Sequence, residues 1–297
     1  MLRKDLPIRT DLTDSIVGSS GSTITVYANP IVSKVRTNLL SESGGITIPE
    51  PVLDVPWNPS YTSTAIWLKS SVTDSVVLDG SNNVTQWLDL SGNNRHFIQV
   101  DSSKRPARIV SGLNSKNTIR FDGVDDTLNS SPVTFGSTDY DFFIVFKTSS
   151  TNTKGIWGGR NTVVDPASRI GLFLTGSNAL RTMNHHGGND YSPYPVNTFN
   201  IVGSYRQLGA ISLLLDAVPV LTASITGGYL SNIPLSIGSW DNNLVPSLPG
   251  DITELVVTSA NLSNNDRDKM FGYLAHEWVN NLPSGHPYKT SPPTLFT

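Results

Sequence analysis

The chain has 297 residues, of which 15% are charged, with 24 glycines, 19 prolines, no cysteine and a formal net charge of -3. The absence of cysteine excludes disulfides, thiol catalysis and thiolate zinc sites, and the mildly acidic balance argues against a nucleic-acid surface, which needs clustered Lys and Arg. No segment is apolar over the ~18 residues that a membrane helix needs and no charged-then-apolar signal segment is seen, so neither a membrane span nor classical secretion is expected.

Residues 1–60 read as an extended arm. Leu6-Pro7, Asn29-Pro30, Ile48-Pro49-Glu50-Pro51, Val55-Pro56 and Asn58-Pro59 place prolines every few residues, and each removes a backbone donor and disfavours helix just before it. Two short alternating runs, containing Ile24, Val26 and Tyr27 and then Ile46 and Ile48, can add strands to a partner but cannot close a core alone. These residues, with Trp57, are the expected assembly contacts, and a partner chain is expected to hold the arm in place.

From residue 61 the pattern changes to short apolar runs with turn residues between them. In order come Ala65–Leu68, Val84–Leu88, Thr118–Phe121, Asp141–Lys147, Ile170–Leu174, Phe199–Tyr205, Ile211–Leu215, Leu235–Gly238 and Asp251–Val257. Strands at that spacing predict an all-β fold, a two-sheet antiparallel jelly-roll sandwich. Trp67, Trp87 and Phe121 fall on strands and are read as core. One helix is expected over 263–279: Ser263 caps it with Asp266 three residues on, and Met270, Phe271, Leu274 and Trp278 repeat on one face. The Lys104–Arg108 stretch is too short for a basic stripe and reads as a solvated loop.

Two groups of motifs carry a family resemblance. The first joins Ala65–Leu68, Val84–His96, Arg105-Pro106 and Ile119–Asp126; the second joins Leu262-Ser263, Asp266-Arg267, Gly272–His276, Trp278, Leu282-Pro283 and His286–Lys289 with Pro292-Pro293. They resemble the two ends of the concanavalin A-like, laminin-G-like jelly-roll domains of bacteriophage virion proteins and bacterial surface proteins. The resemblance brackets residues 61–297. It implies a structural protein of the virion, assembled in a host cytoplasm and docked on other virion proteins through the arm; the lack of the heptads or fibrous repeats that a shaft needs favours head decoration over tail fibre. It also allows a structural calcium, for which Asp89, Asp122, Asp125 and Asp126 supply carboxylates, although no spacing matches a twelve-residue calcium loop. A homo-oligomer, by class a trimer, is the expected state.

Catalytic strings are missing from the sequence. The Glu-x-Asp-x-x-Glu pattern of some sandwich glycosidases does not occur, glutamate stands only at 42, 50, 254 and 277, and neither a nucleophile elbow, a Walker loop nor a His-Glu-x-x-His helix is present. A protein without enzymatic activity is therefore expected. The alternative to a purely structural role is recognition of a host surface glycan, which calls for an aromatic face beside planar polar groups. Two segments read as loops of that chemistry: His185 to Tyr194, with Asn189, Asp190, Tyr191 and Tyr194, and the run Trp240-Asp241-Asn242. Adjacent His185 and His186 point to opposite sides of an extended chain, which disfavours a metal there. No metal ligands are expected.

Overall fold

The computed structural model describes residues 55–135, 139–161, 169–184, 187–207, 209–225, 231–241 and 245–296. Ile24, Val26, Tyr27, Ile46 and Ile48 of the expected arm lie outside the described residues, as do His185 and Asn242. Contacts divide the chain between Val55 and Pro56, and the unit from Pro56 to Leu295 is the one described below.

Its strands in chain order are β1 (Thr64–Lys69), β2 (Val76–Leu78), β3 (Val84–Trp87), β4 (Phe97–Ile98), β5 (Ala107–Leu113), β6 (Lys116–Asp122), β7 (Leu128–Ser130), β8 (Tyr140–Thr148), β9 (Lys154–Arg160), β10 (Arg169–Leu174), β11 (Leu180–Asn184), β12 (Gly187–Tyr191), β13 (Asn200–Gln207), β14 (Ala210–Leu215), β15 (Val218–Ser224), β16 (Ser236–Ile237) and β17 (Pro249–Thr258). They pair antiparallel into two sheets, one ordered β15-β14-β13-β8-β17-β6-β5 with β1 also on β17, the other β12-β11-β10-β9-β16-β7-β4-β3-β2. All nine expected strands are present in this two-sheet antiparallel jelly-roll sandwich.

Strand β8 shows why the first sheet is buried on both faces. Phe142, Ile144 and Phe146 join the core between the sheets, while Phe143 and Val145 join a second cluster under the helix. A strand covered on both faces reads as a continuous apolar run rather than an alternation. Phe142 meets Trp157 of the second sheet edge-on at 4.9 Å between ring centroids. Each such buried side chain contributes roughly 1.5–3 kcal/mol of hydrophobic stabilisation.

The covering element is α1 (Asn264–Glu277), capped where Ser263 Oγ accepts from the Asp266 amide at 3.1 Å. Met270, Phe271, Leu274 and Trp278 are all buried against the first sheet, as their spacing predicts. Gly203 of β13 lets the helix come close: a Cβ there would lie 2.7 Å from the Phe271 ring. Two polar ties fix the helix. Arg267 Nε donates to the buried Asp141 Oδ2 at 2.5 Å. Glu254, fully buried on β17, accepts from Trp67 Nε1 at 2.7 Å, Tyr273 Oη at 2.8 Å and Trp278 Nε1 at 2.6 Å. The closing tail then lies along the helix with Tyr288 buried.

Trp57 corrects one boundary of the sequence reading. Expected in the arm, it is only 4% exposed and packs in the cluster beneath the helix. Its amide donates to Pro293 O at 3.0 Å, next to a bridge between Pro56 and Thr294. The aromatic burial gained there explains why this residue belongs to the folded unit despite its proline-rich neighbours.

Candidate functional site

The outer face of the second sheet, over β9 to β12, gathers polar and aromatic side chains from distant parts of the chain. Ile170, Leu172 and Leu174 of β10 point into the core, so by the two-residue period Arg169, Gly171 and Phe173 point outward. Register then sets their neighbours: Arg169 stands opposite Arg160, Gly171 between Gly158 and Met183, and Phe173 opposite Arg181, which itself faces Asp190.

Trp240 lies across the glycine row. Its Nε1 donates to Ile170 O at 3.1 Å, and a Cβ on Gly158 or Gly171 would come within 2.8 Å or 2.9 Å of its Cδ1. With φ at +127° and +139°, the two glycines adopt a backbone conformation that L side chains avoid. Phe173 packs beside the indole at 5.9 Å between centroids, and the Arg181 guanidinium sits 5.7 Å from the Phe173 centroid.

Carboxylates hold two of the arginines. Arg181 forms a fork with Asp190, Nη2 to Oδ2 at 2.6 Å and Nε to Oδ1, and this hydrogen bonding raises its pKa further above the ordinary guanidinium value. Arg160 Nε lies 2.5 Å from Asp241 Oδ2. The result is an aromatic floor, Trp240 and Phe173, rimmed by partly exposed ion pairs.

Of the expected glycan contacts, the structure therefore brings Asp190, Trp240 and Asp241 to one face. The rest separate. The segment expected as a loop from His185 to Tyr191 is in its described part the strand β12, and alternation turns Asn189 and Tyr191 inward, opposite Thr182 and Leu180. Tyr194 is 1% exposed and stacks on Phe146 at 5.2 Å and 7°, so it is a core residue and not a sugar platform. Trp240, at 4% exposed, serves as a floor rather than a free stacking face. Arg160, Arg169, Arg181 and Phe173 went unread in the sequence. The alternation Arg-Ile-Gly-Leu-Phe carries the outward set, but the pairing that aligns it does not appear in any local pattern.

A concavity of about 240 Å³ elsewhere is lined by Trp57, Asn58, Tyr273, His276, Glu277 and prolines 56, 292 and 293. Glu277 is held by Lys69 Nζ at 3.1 Å and Lys116 Nζ at 2.9 Å, which together keep its carboxyl below the usual range against the opposing effect of burial.

The calcium that the resemblance allows is tested by Asp122, Asp125 and Asp126, whose ligand atoms lie within 4.8 Å of one another. Asp122 Oδ1 already accepts from the amides of Val124, Asp125 and Asp126, and Lys154 Nζ donates to Gly123 O at 2.6 Å in the same turn. Calcium takes six to eight oxygens, and this turn does not supply them. Asp89 is elsewhere, with its oxygens accepting from the amides of Trp67, Ser91 and Arg95. The residues do not fit a resident calcium.

No protein-family model matches the sequence, and no curated protein matches it. Among solved structures, Trypanosoma rangeli sialidase in complex with sialic acid is 14% identical, with 84% of this chain and 37% of that chain covered at a TM-score of 0.54. The same sialidase in complex with the inhibitor DANA gives 13% identity, 68% and 31% coverage and a TM-score of 0.50. Domain 4 of AbnA, a GH43 arabinanase from Geobacillus stearothermophilus in complex with arabinotriose, covers 68% of this chain and 94% of that chain at 15% identity and a TM-score of 0.48. The chain thus spans about a third of the sialidase chains, and what it shares with them is a β-sandwich fold. The sialidase chains correct the expectation of a protein without enzymatic activity. The fold occurs within the chains of sialidases, so a missing carboxylate string does not place this chain outside the enzymes. No helix among the described residues is long and apolar enough to cross a membrane.

Proposed function

We propose that this protein is a carbohydrate-recognition β-sandwich whose contact surface is the outer face of the second sheet. The observation that supports this reading is the convergence of Arg181, Asp190, Trp240 and Asp241, from three separate chain regions, onto one face with an aromatic floor. The Arg181–Asp190 fork and the Arg160–Asp241 pair, set on a buried aromatic floor, offer planar donors and acceptors for sugar hydroxyls. The fold shared with chains that act on or bind saccharides is consistent with it. The test is a glycan array probed with the full chain and with Arg181→Ala and Asp190→Ala. Binding that disappears in both variants supports the reading; binding unchanged in both, or none to any glycan, overturns it.

A second reading concerns where the domain is displayed, and rests on the clamp of Trp57 under the helix beside the tail. In it, the residues before Pro56 form an assembly arm that docks the folded unit on other virion proteins of a phage particle, in homo-oligomeric form. The anchored start of the folded unit would transmit the load of such an arm. A protein beginning at Pro56 should fold yet lose attachment to purified particles; equal attachment refutes the arm.

A further inference from the structure

Arg169 stands apart from the other arginines on the face just described. It lies directly opposite Arg160 in the β9–β10 ladder, and like charges in that position repel. Asp241 neutralises Arg160, and Asp190 neutralises Arg181. For Arg169 there is no such carboxylate among the described residues, and its Nε is buried without a hydrogen-bond acceptor. A buried donor left unpaired costs about 1–3 kcal/mol, more when it is charged, so the face holds a guanidinium with an unpaired Nε; Arg160 Nε is likewise without a hydrogen-bond acceptor, but it has Asp241 beside it. Among the described residues this surface carries three cations, Arg160, Arg169 and Arg181, and two anions, Asp190 and Asp241.

We infer that Arg169 is a specificity-determining residue that receives an acidic group, and that the saccharides recognised here carry carboxylates or sulfates. This rests on the proposed glycan-recognition face. The planar guanidinium matches a carboxylate or sulfate oxygen pair in a way that a sugar hydroxyl does not. Asp241 on the neighbouring Arg160 prevents both members of the cross-strand pair from being free together, which sets one acidic group as the unit recognised. The buried floor of Trp240 and Phe173 fixes the backbone beside Arg169, with Trp240 Nε1 donating to Ile170 O.

The experiment titrates the full chain by calorimetry with three probes: oligogalacturonate for carboxylates, a sulfated dextran oligosaccharide for sulfates, and the unsulfated dextran oligosaccharide as neutral sugar. One or both acidic probes should bind more tightly than the neutral one, and the affinity should fall with added salt. Arg169→Gln should weaken acidic binding about tenfold or more, the loss expected for one charged hydrogen-bonded contact. Arg169→Lys should retain an intermediate affinity, and Arg108→Gln on β5 of the first sheet should change nothing. Thermal melts of each variant at wild-type temperature keep the comparison about binding rather than folding. Which acidic probe binds separates carboxylate from sulfate. Equal affinity for neutral and acidic probes, or equal loss in Arg108→Gln, overturns the acidic-ligand inference while leaving glycan recognition standing. Failure of all three probes together with an empty glycan array removes the recognition reading itself, and this inference with it.

Discussion

Replacing Gly171 by alanine tests the packing that builds the outer face of the second sheet. A Cβ at this position would lie 2.3 Å from Trp157 O, 2.7 Å from Gly158 Cα and 2.9 Å from Trp240 Cδ1. Two of those neighbours are backbone atoms of β9, held in the ladder, and cannot swing aside as a side-chain tip can. The φ of +139° adds conformational strain of about 1–3 kcal/mol for a non-glycine residue. Overpacking adds a further ~1–3 kcal/mol, so the variant should lose at least ~2 kcal/mol. Gly176→Ala is the control: its Cβ would meet only Thr153 Oγ1 at 3.6 Å, and it should stay within ~1 kcal/mol of the parent. Urea unfolding followed by tryptophan fluorescence measures both. A Gly171→Ala protein within ~0.5 kcal/mol of the wild type would refute the account of Trp240 seated on a glycine platform.

Three further outcomes are expected. Asp141→Ala strands the buried Arg267 guanidinium without its carboxylate and should cost roughly 3–5 kcal/mol in urea unfolding. Burial, joined by the charges of Asp122 and Asp125, raises Asp126 from its ordinary 3.8 to about 6. The folded state thus holds a proton that the unfolded chain releases, a contribution present below about pH 4 and lost as pH rises through 6. Asp126→Asn should accordingly be more stable than the parent at pH 7, by up to ~3 kcal/mol at ~1.4 kcal/mol per pKa unit, with the gain vanishing in melts below pH 4. Ser263→Ala removes the acceptor for the Asp266 amide and should cost about 1 kcal/mol.

The elements visible in the sequence share one property: their apolar residues identify them without a partner. Strand β8 and the Leu255–Val257 end of β17 are apolar on both faces because sheet and helix cover them, and α1 declares itself by spacing and cap. Strands β11 and β12 escaped reading because Leu180–Asn184 and Gly187–Tyr191 are polar or glycine-rich and take their strand conformation from each other. One of their inward positions is itself polar: Thr182 Oγ1 meets Ser204 Oγ of the first sheet at 3.1 Å across the interior. The proposed recognition face was half legible for the same reason. Asp190, Trp240 and Asp241 were recognisable by residue type, whereas Arg160, Arg169 and Arg181 acquire meaning only through the register that aligns three strands. Tyr194 misled because an aromatic between prolines looks like a loop residue, and nothing local marks the ring of Phe146 beneath it.

The pairing of Pro56 with Thr294, and of the Trp57 amide with Pro293, brings entry and exit of the folded unit side by side. A unit built this way needs only one point of attachment. It can be spliced into a surface loop of a host polypeptide without prising the host's flanking residues apart, and its own ends can be joined by a short linker and reopened at another turn. The same adjacency means that tension applied at both ends acts first on the two-residue seam under α1, peeling it open before any ladder of the sandwich is loaded.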